Sequence, residues 1–176
     1  KSTFLSRMTA SKPKIADYPF TTLHPNLGVA NVDEDEYIIA DVPGLIKDAH
    51  KGTGLGHRFL GHVERCELLL HLIDISSSKI YDDYEVIINE LKNYDSSINK
   101  KKRILVFTKC DVFDEIEIQK IKEFLKKKKI DDGFFISSVT GKNILKLSRH
   151  INDIIKKQKI LKNNIIDEKE NKNWTP

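Results

Sequence analysis

Arg103-Ile104-Leu105-Val106-Phe107-Thr108-Lys109-Cys110-Asp111 is the stretch that decides the fold. Ile104 to Phe107 is apolar without alternation, the pattern of a strand covered on both faces at the centre of a parallel sheet. The run stops at Thr108, and the polar residues after it fall where open parallel sheets bind ligands, at the carboxyl ends of their strands. A carboxylate such as Asp111 can accept two parallel hydrogen bonds from the N–H edge of guanine, a pattern adenine lacks. Outward from this segment, Glu67–Ile75 is a second near-continuous apolar run and Gly133–Ile136 a shorter third. Amphipathic segments separate them, and the spacing of about 20 to 40 residues is that of βα units. Helices are expected over Thr3–Ser11 (Phe4, Leu5 and Met8 on one face), Leu55–Arg65, Tyr81–Tyr94, Asp114–Lys129 and Lys142–Lys157. In Tyr81–Tyr94 the residues Val86, Ile87, Ile88 and Leu91 turn inward. Asn26–Val32 and Tyr37–Val42, hinged by the acidic Asp33-Glu34-Asp35-Glu36, are expected to form an antiparallel hairpin.

The chain has 176 residues, which suits one domain. With 39% hydrophobic and 32% charged residues it has material for a core, which excludes wholesale disorder. The longest apolar run, near Leu68–Ile73, is far short of the roughly 20 residues that span a bilayer. A net charge of 30 − 26 = +4 is too mild to indicate nucleic acid by itself. Lys126–Lys129 reads as a solvated helix end. Cys66 and Cys110 have neither metal-ligand spacing nor a disulfide framework, which points to reduced thiols and a cytoplasmic location. Lys1-Ser2-Thr3 carries neither Met nor a secretory signal and reads as a cut end. After Lys159 periodicity fades, so residues 1–159 are expected to form the domain and residues 160–176 a linker or the start of a C-terminal extension.

The strand ends carry the chemistry. Asp41-Val42-Pro43-Gly44 follows the strand ending at Ala40; its aspartate can hold a metal ion through water, and Gly44 lets backbone approach a phosphate. Ser137-Ser138-Val139-Thr140-Gly141 follows Ile136 and offers backbone N–H groups to a base carbonyl. Each string alone is common in turns, but three in order, each closing a strand, form a consistent nucleotide site. Lys1-Ser2, followed by an apolar helix, matches the end of the phosphate-binding signature G-x-x-x-x-G-K-[ST]: Lys1 would reach the β- and γ-phosphates, Ser2 would ligate magnesium, and the helix would point its positive end at the phosphates. His57 and His62 lack a third ligand at metal spacing and read as helix-surface or packing residues. Arg58 reads as a packing or partner-facing arginine and His71 as a residue packed within its strand. Cys110 is expected to be accessible but has no neighbour that would activate its thiol. Trp174 has no assignable role.

The chain resembles the guanine-nucleotide-binding domain of the Obg family of ribosome-associated GTPases. The resemblance rests on Ala16-Asp17-Tyr18-Pro19-Phe20-Thr21-Thr22-Leu23, Pro25-Asn26-Leu27-Gly28, Asp41-Val42-Pro43-Gly44-Leu45-Ile46 and, most specifically, Gly52-Thr53-Gly54-Leu55-Gly56-His57-Arg58-Phe59-Leu60. It covers about Lys1 to Lys157. It implies an α/β P-loop NTPase fold of the small-GTPase kind: a three-layer sandwich around a mostly parallel sheet with one antiparallel strand. It also implies GTP and GDP as substrate and product, Mg2+ as cofactor, the large ribosomal subunit with its rRNA as partner, and no membrane span. Lys1, Ser2 and Thr3 match the end of the phosphate loop; Thr22, ahead of Thr21, matches the switch threonine on magnesium; Asp41 matches the aspartate behind the metal; Gly44 matches the glycine at the γ-phosphate. Thr108, Lys109 and Asp111 match the guanine-reading motif, with the Lys109 stem across the base, and Ser137 and Ser138 match the loop at the guanine oxygen. The metal set is thus Ser2, Thr22 and Asp41.

Leu45 stands where many GTPases place the glutamine that orients the attacking water, so no catalytic side chain is assigned and slow intrinsic hydrolysis is expected. Relatives with an apolar residue here often use K+, held from a part of the phosphate loop upstream of Lys1, so potassium stays open. The glycines and the strand that should precede Lys1 are absent from the sequence. That strand would lie between the one ending near Asp41 and the one at Leu68–Asp74, so without it these two would stand roughly 9.6 Å apart, twice the usual spacing. A chain starting at Lys1 is therefore expected to bind guanine nucleotide poorly or not at all and to be inactive by itself. Thr108 replaces the usual asparagine and loses its reach toward the phosphate loop, while Ser138 replaces the usual alanine. A GTPase switch is the leading reading. A non-hydrolysing module that docks on RNA or ribosome is the alternative, and an ATP-dependent enzyme a distant third.

Overall fold

A computed structural model describes residues 1–9, 26–41, 63, 65–94, 101–130 and 132–172. In chain order these form α1 (Ser2–Met8), β1 (Asn26–Val32), β2 (Asp35–Asp41), β3 (Leu69–Asp74), α2 (Ile80–Tyr94), β4 (Arg103–Thr108), α3 (Glu115–Lys127), β5 (Phe134–Phe135) and α4 (Ile144–Lys172). A 3-10 turn at Cys110–Val112 follows β4. The expected helix over Leu55–Arg65 lies almost wholly outside the described residues.

The period-2 geometry of β4 explains its unbroken apolar run. Ile104 and Val106 face one buried cluster with Phe4 and Met8 of α1 and Leu147, Ile151 and Ile154 of α4. Leu105 and Phe107 face a second with Ile118 and Leu125 of α3, which Ile80, Tyr81 and Tyr84 of α2 join. Helices therefore cover both faces, and every side chain from Ile104 to Phe107 is buried. β3 and β5 flank β4, both parallel to it, with Asp74 opposite Thr108 and Phe107 opposite Phe135.

β1 and β2 form the expected antiparallel hairpin, paired from Asn26 opposite Asp41 to Val32 opposite Asp35. Its turn is shorter than the acidic hinge suggested: Asp35 and Glu36 belong to β2, leaving Asp33-Glu34, with Asp33 at φ 53°. A short carboxylate side chain tolerates that left-handed backbone. The tip is fastened to α4, where Arg149 donates to both Asp33 oxygens at 3.0 and 2.8 Å and Asn152 donates to Asp35 at 2.8 Å. Gly28 has a steric role, because a Cβ there would overlap the side chain of Thr9 at the end of α1.

Among the described residues no strand pairing joins the hairpin to the three-stranded sheet. The antiparallel strands form a sheet of their own. Side chains bridge the two instead: Ala30, Val32 and Tyr37 of the hairpin share a buried cluster with Ile104, Val106 and Ile136.

Two helices differ from expectation. α1 ends at Met8, its C-cap Thr9 donating its hydroxyl to Leu5 O at 2.9 Å. α4 starts at Ile144 and runs to Lys172, fifteen residues past Lys157, although its apolar stripe ends earlier: Ile154 is buried while Ile160 and Leu161 are 59% and 61% exposed. Among the described residues no helix is long and apolar enough to cross a membrane.

Candidate functional site

Among the described residues, Asp41, Thr108–Asp111 and Ser137–Gly141 keep the places at strand ends expected of them. Asp41 is the last residue of β2, and Lys1 is the N-cap of α1. Forty positions apart in sequence, they meet with Lys1 Nζ 2.6 Å from Asp41 Oδ1. The Asp41 side chain is 15% exposed, and this oxygen has the charge contact but no hydrogen bond of proper geometry. Ser2 and Thr3 open α1, both exposed. The Asp41 carboxylate, reached by Lys1, and the exposed hydroxyls of Ser2 and Thr3 at the start of α1 are oxygen donors of the hard kind that magnesium takes. The third expected ligand, Thr22, lies outside the described residues, as do Gly44, Leu45, His57, Arg58, His62 and Trp174. Among the described residues no group of three His, Cys, Asp or Glu is placed to hold a metal.

The segment expected to read guanine leaves β4 through a sharp change of backbone. Lys109 takes the left-handed conformation (φ 63°, ψ 35°), and the 3-10 turn of Cys110–Val112 begins there. Asp111 is thereby carried to the surface. Cys110 is 1% exposed, which corrects the expectation of an accessible thiol; burial pushes its pKa up, away from thiolate chemistry. Its N–H donates to Ile136 O at 3.1 Å, tying this turn to the segment that precedes Ser137.

The loop after β5 closes on itself. Thr140 N donates to Ser137 Oγ at 3.0 Å, Gly141 N to Ser137 O at 3.0 Å, and Ser137 N to Lys142 O at 3.1 Å. Ser137 is fully buried, so its side chain shapes the loop, and the half-buried Ser138 is the more outward of the two. Gly141 at φ 84° supplies the reversal, and Arg7 of α1 packs against it.

Sequence reasoning missed one participant. Asp74, the last residue of β3, receives Lys109 Nζ at 2.6 Å. Its other oxygen accepts from Ser76 N at 2.9 Å and Ser76 Oγ at 2.6 Å. Burial raises the Asp74 pKa, and Lys109 with the Ser76 donors more than offsets that, leaving it below the usual carboxylate range. The strand-end rule that selected Asp41 also selects Asp74. Thr108 turns the same way, its hydroxyl donating to Ile73 O at 3.2 Å. A cavity of about 280 Å³ lined by Lys122, Phe134, Phe135 and Lys146 lies along β5 and contains none of the expected site residues.

Comparison with known proteins gives the family and the fold. A family model described as "50S ribosome-binding GTPase" matches residues 1–109. "GTPase Obg" of Rickettsia massiliae is 49% identical over 158 residues, covering 90% of this chain and 48% of that protein. "GTPase Obg" of Rickettsia felis is likewise 49% identical over 158 residues. The chain therefore spans about half the length of the curated relatives it matches. Among solved structures, Era from Aquifex aeolicus bound to GDP and aluminium fluoride superposes with a TM-score of 0.60 at 24% identity, covering 85% of this chain and 51% of that one. Era in complex with MgGDPNP and a segment of 16S ribosomal RNA gives 0.60 at 25% identity with the same coverage. Nucleolar GTP-binding protein 1 of Plasmodium falciparum gives 0.58 at 20% identity, covering 98% of this chain and 88% of that one. The fold is that of the P-loop GTPases.

Proposed function

Because the chain belongs to the family of 50S ribosome-binding GTPases, as an Obg-type G domain, we propose that it binds GTP and hydrolyses it to GDP and phosphate as a cytoplasmic switch acting in assembly of the large ribosomal subunit. Residues 1–159 are assigned to the G domain, and residues 160–176 to a linker or the start of a C-terminal extension. The Lys1–Asp41 contact at 2.6 Å carries the reading, since it joins the end of the phosphate-loop signature to the strand-end aspartate expected behind the metal. The Era complex with ribosomal RNA supports the partner class, and two cysteines with neither metal-ligand spacing nor a disulfide framework support the compartment.

Lys1 stabilises negative charge on the β- and γ-phosphates, with Thr3 beside it. Ser2, Thr22 and Asp41 would hold magnesium, which would supply positive charge against the phosphates. Thr22 and Gly44 sense the γ-phosphate, and their segments relax when it leaves. Asp111 reads the N–H edge of guanine, Lys109 lays its stem over the base, and the Ser137–Gly141 loop, with Ser138 outermost, meets the base carbonyl. Leu45 cannot hydrogen-bond to the attacking water, so intrinsic turnover is slow and docking on the ribosome accelerates it.

Asp111→Asn in the full protein should lower affinity for GTP about a hundredfold or more and raise that for xanthosine triphosphate. Competition binding with the two nucleotides checks this, and unchanged GTP preference would remove Asp111 from the site. GTP binding without phosphate release, even with 50S subunits present, would select the non-hydrolysing docking module.

A further inference from the structure

The guanine-reading segment is anchored from the neighbouring strand, residue by residue. Thr108 sends its hydroxyl to Ile73 O at 3.2 Å and accepts Ile75 N–H on its carbonyl at 3.2 Å. Lys109 sends its ammonium to Asp74 at 2.6 Å. The carboxylate it meets is already oriented by both Ser76 donors. The left-handed backbone of Lys109 fixes the direction in which its side chain leaves the strand.

Exposed ion pairs add little to stability, and this one is 57% and 39% exposed, so folding energy does not account for the arrangement. Its effect lies in the lysine stem. Four rotatable bonds separate Cα from Nζ, and a free stem must be ordered when a base is bound against it. Pinning Nζ from the side of β3 orders that stem before the ligand arrives.

We propose that Asp74 is a positioning residue for guanine nucleotide, acting through Lys109 by steering its aliphatic stem into the plane that covers the base. This rests on the guanine-nucleotide reading above and adds to it a residue of β3.

The test uses the full protein, stripped of nucleotide and titrated with a fluorescent GDP analogue. Asp74→Ala and the isosteric Asp74→Asn, which keeps an acceptor for Ser76, should each raise the GDP dissociation constant about three- to tenfold, with the far-UV spectrum unchanged. Asp74→Glu should recover most of that loss. In a Lys109→Met background, which keeps a stem but removes the ammonium, Asp74→Ala should cost nothing further. A general structural role for Asp74 would leave its penalty intact there and overturn the proposal. So would wild-type GDP affinity in both Asp74→Ala and Asp74→Asn while Asp111→Ala abolishes binding, a result that spares the guanine reading. Absence of GDP binding by the wild-type full protein would overturn both.

Discussion

At the residue scale, His71 shows how a strand position acquires a pH response. It is the one polar side chain within β3's apolar run, 8% exposed and stacked on Tyr84 at 5.6 Å between ring centres. Burial first and the charge of Arg103 second push its pKa from 6.5 down to about 4, so the folded protein holds it neutral. The unfolded chain takes up a proton near pH 6.5, so between pH 6.5 and about 4 the unfolded state binds the extra proton and stability falls as pH falls. The native carboxylates with lowered pKa, Asp33, Asp35 and Asp74, act in a lower window, below their ordinary value of 3.8. His71→Phe should therefore flatten urea-unfolding stability between pH 6.5 and 4, removing a loss on the order of 3 kcal/mol while leaving the steeper fall at lower pH. An unaltered slope in that interval would show that His71 titrates freely in the folded state. The packed histidine was legible from the sequence, because a lone imidazole inside an apolar run has no alternative place. The Lys109–Asp74 contact was not, because an aspartate closing a strand reads as a turn residue until the register sets it opposite Thr108.

At the scale of elements, agreement with the sequence follows how strongly each segment is patterned. β4 was expected over Arg103–Thr108 and occupies those residues, because burial on both faces leaves a run with sharp ends. α3 is bounded by a capping box, Asp114 accepting from Glu117 N at 2.7 Å while Asp114 N donates to Glu117 at 3.0 Å, and its start was expected within one residue. α4 outran its expected end because its helix continues after its buried stripe has stopped, and hydrophobic period registers only the stripe. Contacts between α4 and the hairpin were invisible for a different reason: their partners lie more than a hundred positions apart. The most buried of them is the hydrogen bond between Tyr37 and Ser148 hydroxyls, at 2.7 Å. Ser148→Ala would strand the Tyr37 hydroxyl away from water and should cost about 1–3 kcal/mol, and adding Tyr37→Phe should return part of that loss. Denaturant titration of the two single variants and the double variant measures the coupling; strictly additive losses would mean that the two hydroxyls do not act as a pair.

Over the whole molecule, the fold joins two sheets with no strand pairing between them among the described residues, so their cooperation depends on side chains. Leu147 of α4 is the test position. It is fully buried, in the cluster that holds Ala30, Val32 and Tyr37 of the hairpin together with Ile104, Val106 and Ile136 of the parallel sheet and its edge. The exposed ion pairs at the hairpin tip orient it on α4 but contribute little energy. If this cluster couples the sheets, Leu147→Ala should cost about 2–5 kcal/mol and lower the opening free energy of amides in β1 and β4 by the same amount. Native-state hydrogen exchange reads both strands in one experiment. Loss of protection confined to β1 and β2, with β4 unchanged, would show that the hairpin opens as a separate unit. In that event the Lys1–Asp41 corner, set on β2 and α1, could rearrange without disturbing the turn after β4 proposed to read guanine. Equal loss would instead mean that both halves of the site open and close as one body.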